Sequence, residues 1–276
     1  MLFPRTVPSW FVWECPPDSG VRNMAADAAL LARVQPDRAV WRWYAWDQPT
    51  VSFGRHEAVR DRFSAASLSR AGLEAVRRPT GGRALLHAET LTYSVVLPLP
   101  ASVSWREAYA AVNGVLAETL RAVGLPVTLA PPRTERITDG AVCFDAPDEG
   151  ELLLGGRKLV GSAVWRQGAG YLQHGSLLLR DRQELLASAA DLPLPPAPAA
   201  ASLSDVLPAR ELPITIDRLK AAMVDRLARW VLWPGHATER DLDHAQVSVL
   251  EPDAELRAAM DRQALHFGSG EWLWRR

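Results

Sequence analysis

The chain has 276 residues, of which 48% are hydrophobic and 23% charged, and its formal net charge is −1. That length can bury a full core, in one large domain or in one domain with a small addition, and the near-neutral balance excludes a nucleic-acid binder dominated by phosphate contacts. Cys15 and Cys143 are the only cysteines and lack metal-ligand spacing, which sets aside a disulfide scaffold and a zinc site and fits a reducing cytoplasm. The first residues lack the apolar core of a signal peptide and no run is long enough to span a bilayer. The expectation is therefore a soluble, cytoplasmic protein.

In chain order, residues 21–33 read as a helix, because Met24, Ala28 and Leu31 share one face and Pro36 follows its end. Residues 39–45 (AVWRWYA) and 50–53 are strand-like on either side of the Asp47-Gln48-Pro49 turn. Residues 91–97 form a further β-rich stretch. Residues 104–123 give the clearest helix. Ser104 and Glu107 make a capping box, Tyr109, Val112, Leu116, Leu120 and Val123 fall on one stripe, and Gly124 and Pro126 stop it.

Residues 151–179 read as a three-stranded antiparallel meander, with one turn at Gly155-Gly156 and a second marked by Gly168 and Gly170. DLPLPPAPAAA (191–201) is a Pro/Ala-rich linker expected to be extended and exposed, and amphipathic helical stretches follow near 216–231 and 253–265. Helices interleaved with meanders predict an α+β fold, a mixed, mostly antiparallel sheet flanked by helices. The expected division is a catalytic core over 1–190, the linker, and a helical segment over 202–276 packing on the core.

The chemistry concentrates in three places. RRPTGGRALLH (77–87) puts Arg77, Arg78, Thr80, Gly81, Gly82, Arg83 and His87 at a strand end, where backbone N–H groups and fixed positive charge could hold an acyl carbonyl or an anion. It is not a nucleotide-binding P-loop, because no Lys-Ser/Thr pair follows at the required spacing. His87 is either a hydrogen-bonded structural histidine or a donor and proton carrier. Cys143, in GAVCFDAP, is either an inert small hydrophobe or a nucleophile. The second role needs a nearby cation to lower its pKa from about 8.5. Lys158, in GGRKLVGSA, is the candidate cation if it faces inward, since Arg157 must then point to the other face of the strand. Gly161, Ser162 and Ala163 would then admit a substrate close to the backbone, or would simply pack tightly. The eleven tryptophans, Trp41, Trp43 and Trp46 among them, are core and strand packing or the wall of an apolar tunnel.

These blocks in this order, with NMAADAALL from Asn23, PTVSFGR from Pro49, LQHGSLLL from Leu172 and the terminal EWLWRR, resemble the biotin/lipoate protein ligase superfamily. The resemblance is closest to its cysteine/lysine octanoyltransferases and implies the biotin/lipoate ligase-like catalytic fold. It also implies a two-step reaction. Cys143 would take the octanoyl group from octanoyl-acyl carrier protein as a thioester. A lysine of an apo lipoyl domain, such as glycine cleavage H protein or a 2-oxoacid dehydrogenase E2, would then receive it. Lys158 would lower the thiol pKa and assist proton transfer, and residues 77–87 with Gly161, Ser162 and Ala163 would line the octanoyl site. The implied reaction needs no metal, ATP or organic cofactor, and no nucleic acid or membrane partner. Two positions depart from the family pattern: Ala88 stands where Asp is usual, and Val164-Trp165 where Gln-Thr is usual. The alternatives are a lipoate-protein ligase using ATP and Mg²⁺, whose glycine loop continues differently after the histidine, an amidotransferase moving lipoyl groups between lipoyl domains, and a non-catalytic sensing module.

Overall fold

Strand β6 (Thr90–Pro98), at the centre of the main sheet, shows how the sequence sorts its two faces. Alternate residues point to opposite sides of a strand, so Leu91, Tyr93, Val95 and Leu97 enter one apolar core while the hydroxyls of Thr92 and Ser94 turn to the other side. The computed structural model describes residues 9–132, 149–194, 199–230 and 246–275; Cys143 and its CFDAP block lie outside them.

The chain opens with β1 (Ser9–Glu14) and helix α1 (Gly20–Ala32), whose first turn is capped by the Ser19 hydroxyl accepting from the Arg22 amide. β2 (Arg38–Tyr44) and β3 (Thr50–Phe53) follow, then α2 (Ala65–Arg70), β4 (Glu74–Arg77), β5 (Leu85–His87) and β6. Helix α3 (Trp105–Ala122) carries the expected Ser104/Glu107 capping box. β7 (Val127–Leu129), β8 (Leu152–Leu154), β9 (Arg157–Gln167) and β10 (Gly170–Leu178) complete the meander, and α4 (Glu184–Ala189) follows it. The C-terminal part supplies α5 (Leu212–Leu227), β11 (Val247–Val249), α6 (Ala254–Phe267) and α7 (Gly270–Leu273).

Eight strands form one sheet in the order β11-β1-β2-β6-β10-β9-β8-β7, and β4-β3-β5 form a second. Within the large sheet β1 pairs in parallel with β2 and β11, and the other pairings are antiparallel, so the sheet is mixed and mostly antiparallel as expected. One face packs α3 and α5 over Trp41, Trp43, Tyr93 and Val95. The other carries α1 and α6 over Val40, Val96 and Leu172. These are the two covered faces of an α+β fold. Trp10, Trp41 and Trp43 belong to the α3 core, with Trp10 stacked on Trp230, Trp41 stacked on Tyr93 and Trp43 edge-on to Tyr93, so the packing reading holds for them.

Two expectations shift. Helix α5 begins at Leu212 rather than near 216, because Pro213 sits in its first turn, where a proline's missing N–H costs nothing. The 191–201 segment is not uniformly exposed: Leu192 is, but Ala200 and Ala201 are buried. Small side chains allow that end to dock on β9, where the Ala201 amide donates to the Lys158 carbonyl (2.8 Å) and the Arg157 guanidinium donates to the Ala200 carbonyl (2.8 Å). No helix among the described residues is long and apolar enough to cross a membrane.

Candidate active site

Where the second sheet meets β6, β9, β10 and α1, a pocket opens on the α1 side of the main sheet. Met24, Tyr44, Trp46 and Leu85 supply apolar wall, and Gly161, Ser162 and Ala163 supply the β9 side. The antiparallel register sets those three opposite Ser176, Gly175 and His174, which also line it. Glycine at 175 is required by space: a Cβ there would lie 2.6 Å from the Ser162 hydroxyl and 2.7 Å from the Tyr93 ring. Tyr93, whose phenol bonds Ser162 (2.8 Å), is pushed by burial up to about 12 and stays neutral.

The RRPTGGR segment divides its labour. Arg78 lines the pocket and donates to the carbonyls of Ser52 (2.7 Å), Gly81 (2.9 Å) and Arg83 (2.8 Å), which clamps the turn around its guanidinium. Thr80 is fully buried and bonds His174. Gly82 has φ +93°, a conformation that favours glycine, and its carbonyl packs so closely on Gly54 that a Cβ there would lie 1.8 Å away. Glu57 braces the turn from beneath, accepting from the amides of Gly54 (3.0 Å) and Ala84 (2.9 Å). Arg83 is half-buried and contributes its backbone to the Arg78 clamp.

Arg77 sits elsewhere, and the expectation that it lines the pocket is corrected. Its guanidinium donates to the carbonyls of Gly54 (2.6 Å), Glu57 (2.8 Å), Leu273 (2.9 Å) and Arg275 (3.1 Å), while its own carbonyl accepts from the Trp272 indole (2.8 Å). It is the clasp that ties the EWLWRR end of the chain beneath the turn. The physical reason is alternation: Arg77 and Arg78 are neighbours on an extended segment and point to opposite sides.

His87 lies in the pocket wall, stacked on Trp46 with ring centroids 3.8 Å apart. Its Nε2 bonds the Ser52 hydroxyl (2.8 Å) and its Nδ1 the Ser176 hydroxyl (3.0 Å). Burial, reinforced by the positive charge of Arg78, holds its pKa well below the usual histidine range. A neutral imidazole with both nitrogens engaged is not a proton carrier near neutral pH, so the hydrogen-bonded structural reading of His87 is the one the geometry fits. The polar groups of this wall satisfy one another: the Trp46 indole donates to Thr92 (2.9 Å), and Thr92 bonds Ser176 (3.0 Å). The wall presents a neutral, internally satisfied face to an apolar group.

Lys158 faces inward, and Arg157 faces out, with 4% and 47% of their side chains exposed. The Lys158 ammonium lies 2.8 Å from a carboxylate oxygen of Glu151, itself buried. Glu151 reads in the sequence only as the start of a strand. So the structure brings Arg78, His87, Gly161, Ser162 and Ala163 around one pocket, with Thr80 joined through His174 and Lys158 on the same strand as the glycine-serine-alanine wall. Arg77 it places outside. Among the described residues no group of three or more His, Cys, Asp or Glu side chains is placed to hold a metal ion.

Residues not singled out in the sequence complete the site. Asp27 on α1 is fully buried and accepts from Arg42 (2.9 Å) and from Ser94 (2.6 Å). Burial opposes its charge, but the bonds from His174, Arg42 and Ser94 prevail and hold its carboxyl below the usual range. The signal was present: an aspartate inside the alanine- and leucine-rich α1 and an arginine between Trp41 and Trp43 are each charges in apolar settings, which fold only if paired.

The model of the lipoyl protein ligase A/B catalytic domain matches residues 19–228. The chain is 42% identical to octanoyltransferase LipM of Geobacillus kaustophilus over 63% of this chain and 66% of that protein, just under two thirds of its length. It is 33% identical to octanoyltransferase LipM of Kyrpidia tusciae over 86% of this chain and 94% of that one. The crystal structure of a lipoate-protein ligase A bound with ATP shares the fold at a TM-score of 0.71, with 18% identity over 97% of this chain and 98% of that one. From a match across most of its length and a relative matched nearly end to end, the chain belongs to the lipoyl protein ligase A/B catalytic domain family.

Proposed function

We propose that the protein is an octanoyltransferase of lipoate synthesis. It moves octanoyl from octanoyl-acyl carrier protein through a thioester on Cys143 to a lysine of an apo lipoyl domain, without ATP or metal. The observation that carries this reading is the pairing, on β9, of an inward, buried Lys158 with the Gly161–Ala163 wall of an apolar-lined pocket. Similarity to curated octanoyltransferases supports the same direction.

The chemistry follows in two displacements. The Cys143 thiolate attacks the donor thioester carbonyl and the carrier thiolate departs, taking a proton. The acceptor amine, having lost its proton, attacks the octanoyl-cysteine and returns the thiolate. Lys158 would stabilise the thiolate at both ends and exchange the proton, a role for which a buried ammonium is suited because low dielectric strengthens its field. The neutral pocket wall would take the octanoyl chain.

The experiment is the purified protein with octanoyl-carrier protein and an apo lipoyl domain, with and without ATP, read by intact mass. Octanoylation of the domain without ATP is the expected result. Modification only from free octanoate or lipoate with ATP would overturn the reading in favour of a ligase. Transfer only from an already acylated lipoyl domain would make the protein an amidotransferase.

A further inference from the structure

A second chain of contacts runs beneath the pocket and ends on the Thr-Gly-Gly turn. Asp27 Oδ2 lies 3.0 Å from His174 Nδ1, and His174 Nε2 lies 2.6 Å from the Thr80 hydroxyl. All three side chains are buried, Asp27 and Thr80 completely. They come from α1, β10 and the turn after β4, which the sequence separates widely. Arg42 anchors the far end, donating to Asp27 (2.9 Å) and to the Asn23 side chain (2.7 Å).

The direction of each bond is fixed by chemistry. A carboxylate only accepts, so the His174 Nδ1 must carry the proton shared with Asp27. In the neutral ring Nε2 is then an acceptor, and the Thr80 hydroxyl donates to it. On the backbone side, the Thr80 carbonyl accepts from the Arg55 amide (2.8 Å), so this residue is held from two directions.

We propose that Asp27, His174 and Thr80 form a positioning relay that holds the Thr80-Gly81-Gly82 turn in its working place at the pocket. His174 is the positioning residue and Asp27 fixes its tautomer and orientation. The relay's kinetic consequence rests on the acyl-transfer reading; its structural consequence does not.

The test uses the full chain with two substitutions. Thr80→Val keeps the shape and removes the hydroxyl, and Thr80→Ser keeps the hydroxyl. Loss of one buried hydrogen bond should slow octanoyl-enzyme formation roughly tenfold in Thr80→Val. Thr80→Ser should recover most of the rate. A wild-type rate in Thr80→Val, or no recovery in Thr80→Ser, overturns the relay. Hydrogen exchange of the Arg55 amide, which reports the Thr80 carbonyl without turnover, separates the two ideas. If the wild type forms no octanoyl-enzyme, the acyl-transfer reading fails. The relay then stands if Arg55 exchanges faster in Thr80→Val and falls if its protection is unchanged.

Discussion

The ammonium of Lys158 and the carboxylate of Glu151 meet at 2.8 Å with both side chains nearly wholly buried. A lysine inside a strand is ordinarily a solvated surface charge, and an isolated ammonium would not remain charged in the interior. The glutamate makes the inward lysine tolerable, and the bulge in the β8–β9 pairing between Leu152 and Leu153 lies beside it.

The first prediction follows from that pair. Glu151→Ala removes the carboxylate that faces the buried ammonium and should cost about 3–5 kcal/mol of stability. Arg157→Ala, whose ion pair with Asp205 is half-exposed, should cost about 1 kcal/mol or less. Urea unfolding of the two variants decides it. A Glu151→Ala loss no larger than that of Arg157→Ala would mean the buried pair carries no weight.

His87 gives a pH prediction. Its pKa is held well below 6.5 in the folded protein, chiefly by burial. The unfolded chain therefore binds a proton that the native state refuses as pH falls below about 6.5. The stability this neutral group contributes is full above that pH and declines below it, until the native histidine itself protonates. Between pH 7.5 and 5.5 the loss from this one group should be on the order of 1 kcal/mol. His266, depressed by burial and by Arg275 and Arg55, acts in the same direction. The comparison is therefore with His87→Gln, which should flatten the dependence by that amount. An unchanged slope in the variant would show that His87 is not refusing the proton.

Two glycines separate backbone fit from helix propensity. Gly54→Ala would place a Cβ 1.8 Å from the Gly82 carbonyl oxygen, a backbone atom that can move only with the whole turn. It should destabilise by about 1–3 kcal/mol and slow octanoyl-enzyme formation, because the Arg78 clamp shifts with the turn. Gly114, inside α3, has no atom within 4 Å of such a Cβ. Gly114→Ala should instead stabilise by about 0.5–1 kcal/mol with the rate unchanged. Thermal melts with a burst assay check both, and a neutral Gly54→Ala would contradict the packing described for the turn.

These tests fall where sequence and structure part company. α1, α3 and the β8–β10 meander were legible because their hydrophobic period, caps and glycine turns agree with the packing they adopt. The three-residue strands β5, β7 and β11 were not, since so short a run carries no period and is made a strand only by its neighbour. At the site, alternation set Lys158 and Arg157 on opposite faces but left open which of them turns inward, and Gly161, Ser162 and Ala163 could be read as substrate space or as close packing. The opposite fates of Arg77 and Arg78 could not be told apart, because which of two adjacent arginines turns inward depends on where the C-terminal Trp272 and Leu273 dock. Glu151 stayed hidden for a similar reason: its partner is fixed by strand pairing, and nothing local announces it.

The last prediction joins the described lysine to the cysteine of the CFDAP block. If the Lys158 ammonium stabilises the Cys143 thiolate, Cys143 should alkylate with an apparent pKa below the free value of about 8.5. Lys158→Met keeps much of the stem and removes the charge, so that value should rise towards or above 8.5. The same change takes the ammonium away from the Glu151 carboxylate, a negative charge that would push the thiol further in the same direction. The variant Lys158→Met/Glu151→Gln removes both charges and isolates the lysine's own share: its thiol value should fall between those of the wild type and Lys158→Met. Lys158→Arg restores a charge but not a proton that is given up near neutral pH, so thiolate formation should recover while turnover stays low. Arg157→Met, on the outer face, should leave the profile where it is. Iodoacetamide rates against pH, read in a Cys15→Ala background so that only Cys143 is labelled, give all of these values. A profile in Lys158→Met that matches the wild type would remove Lys158 from the role of activating group.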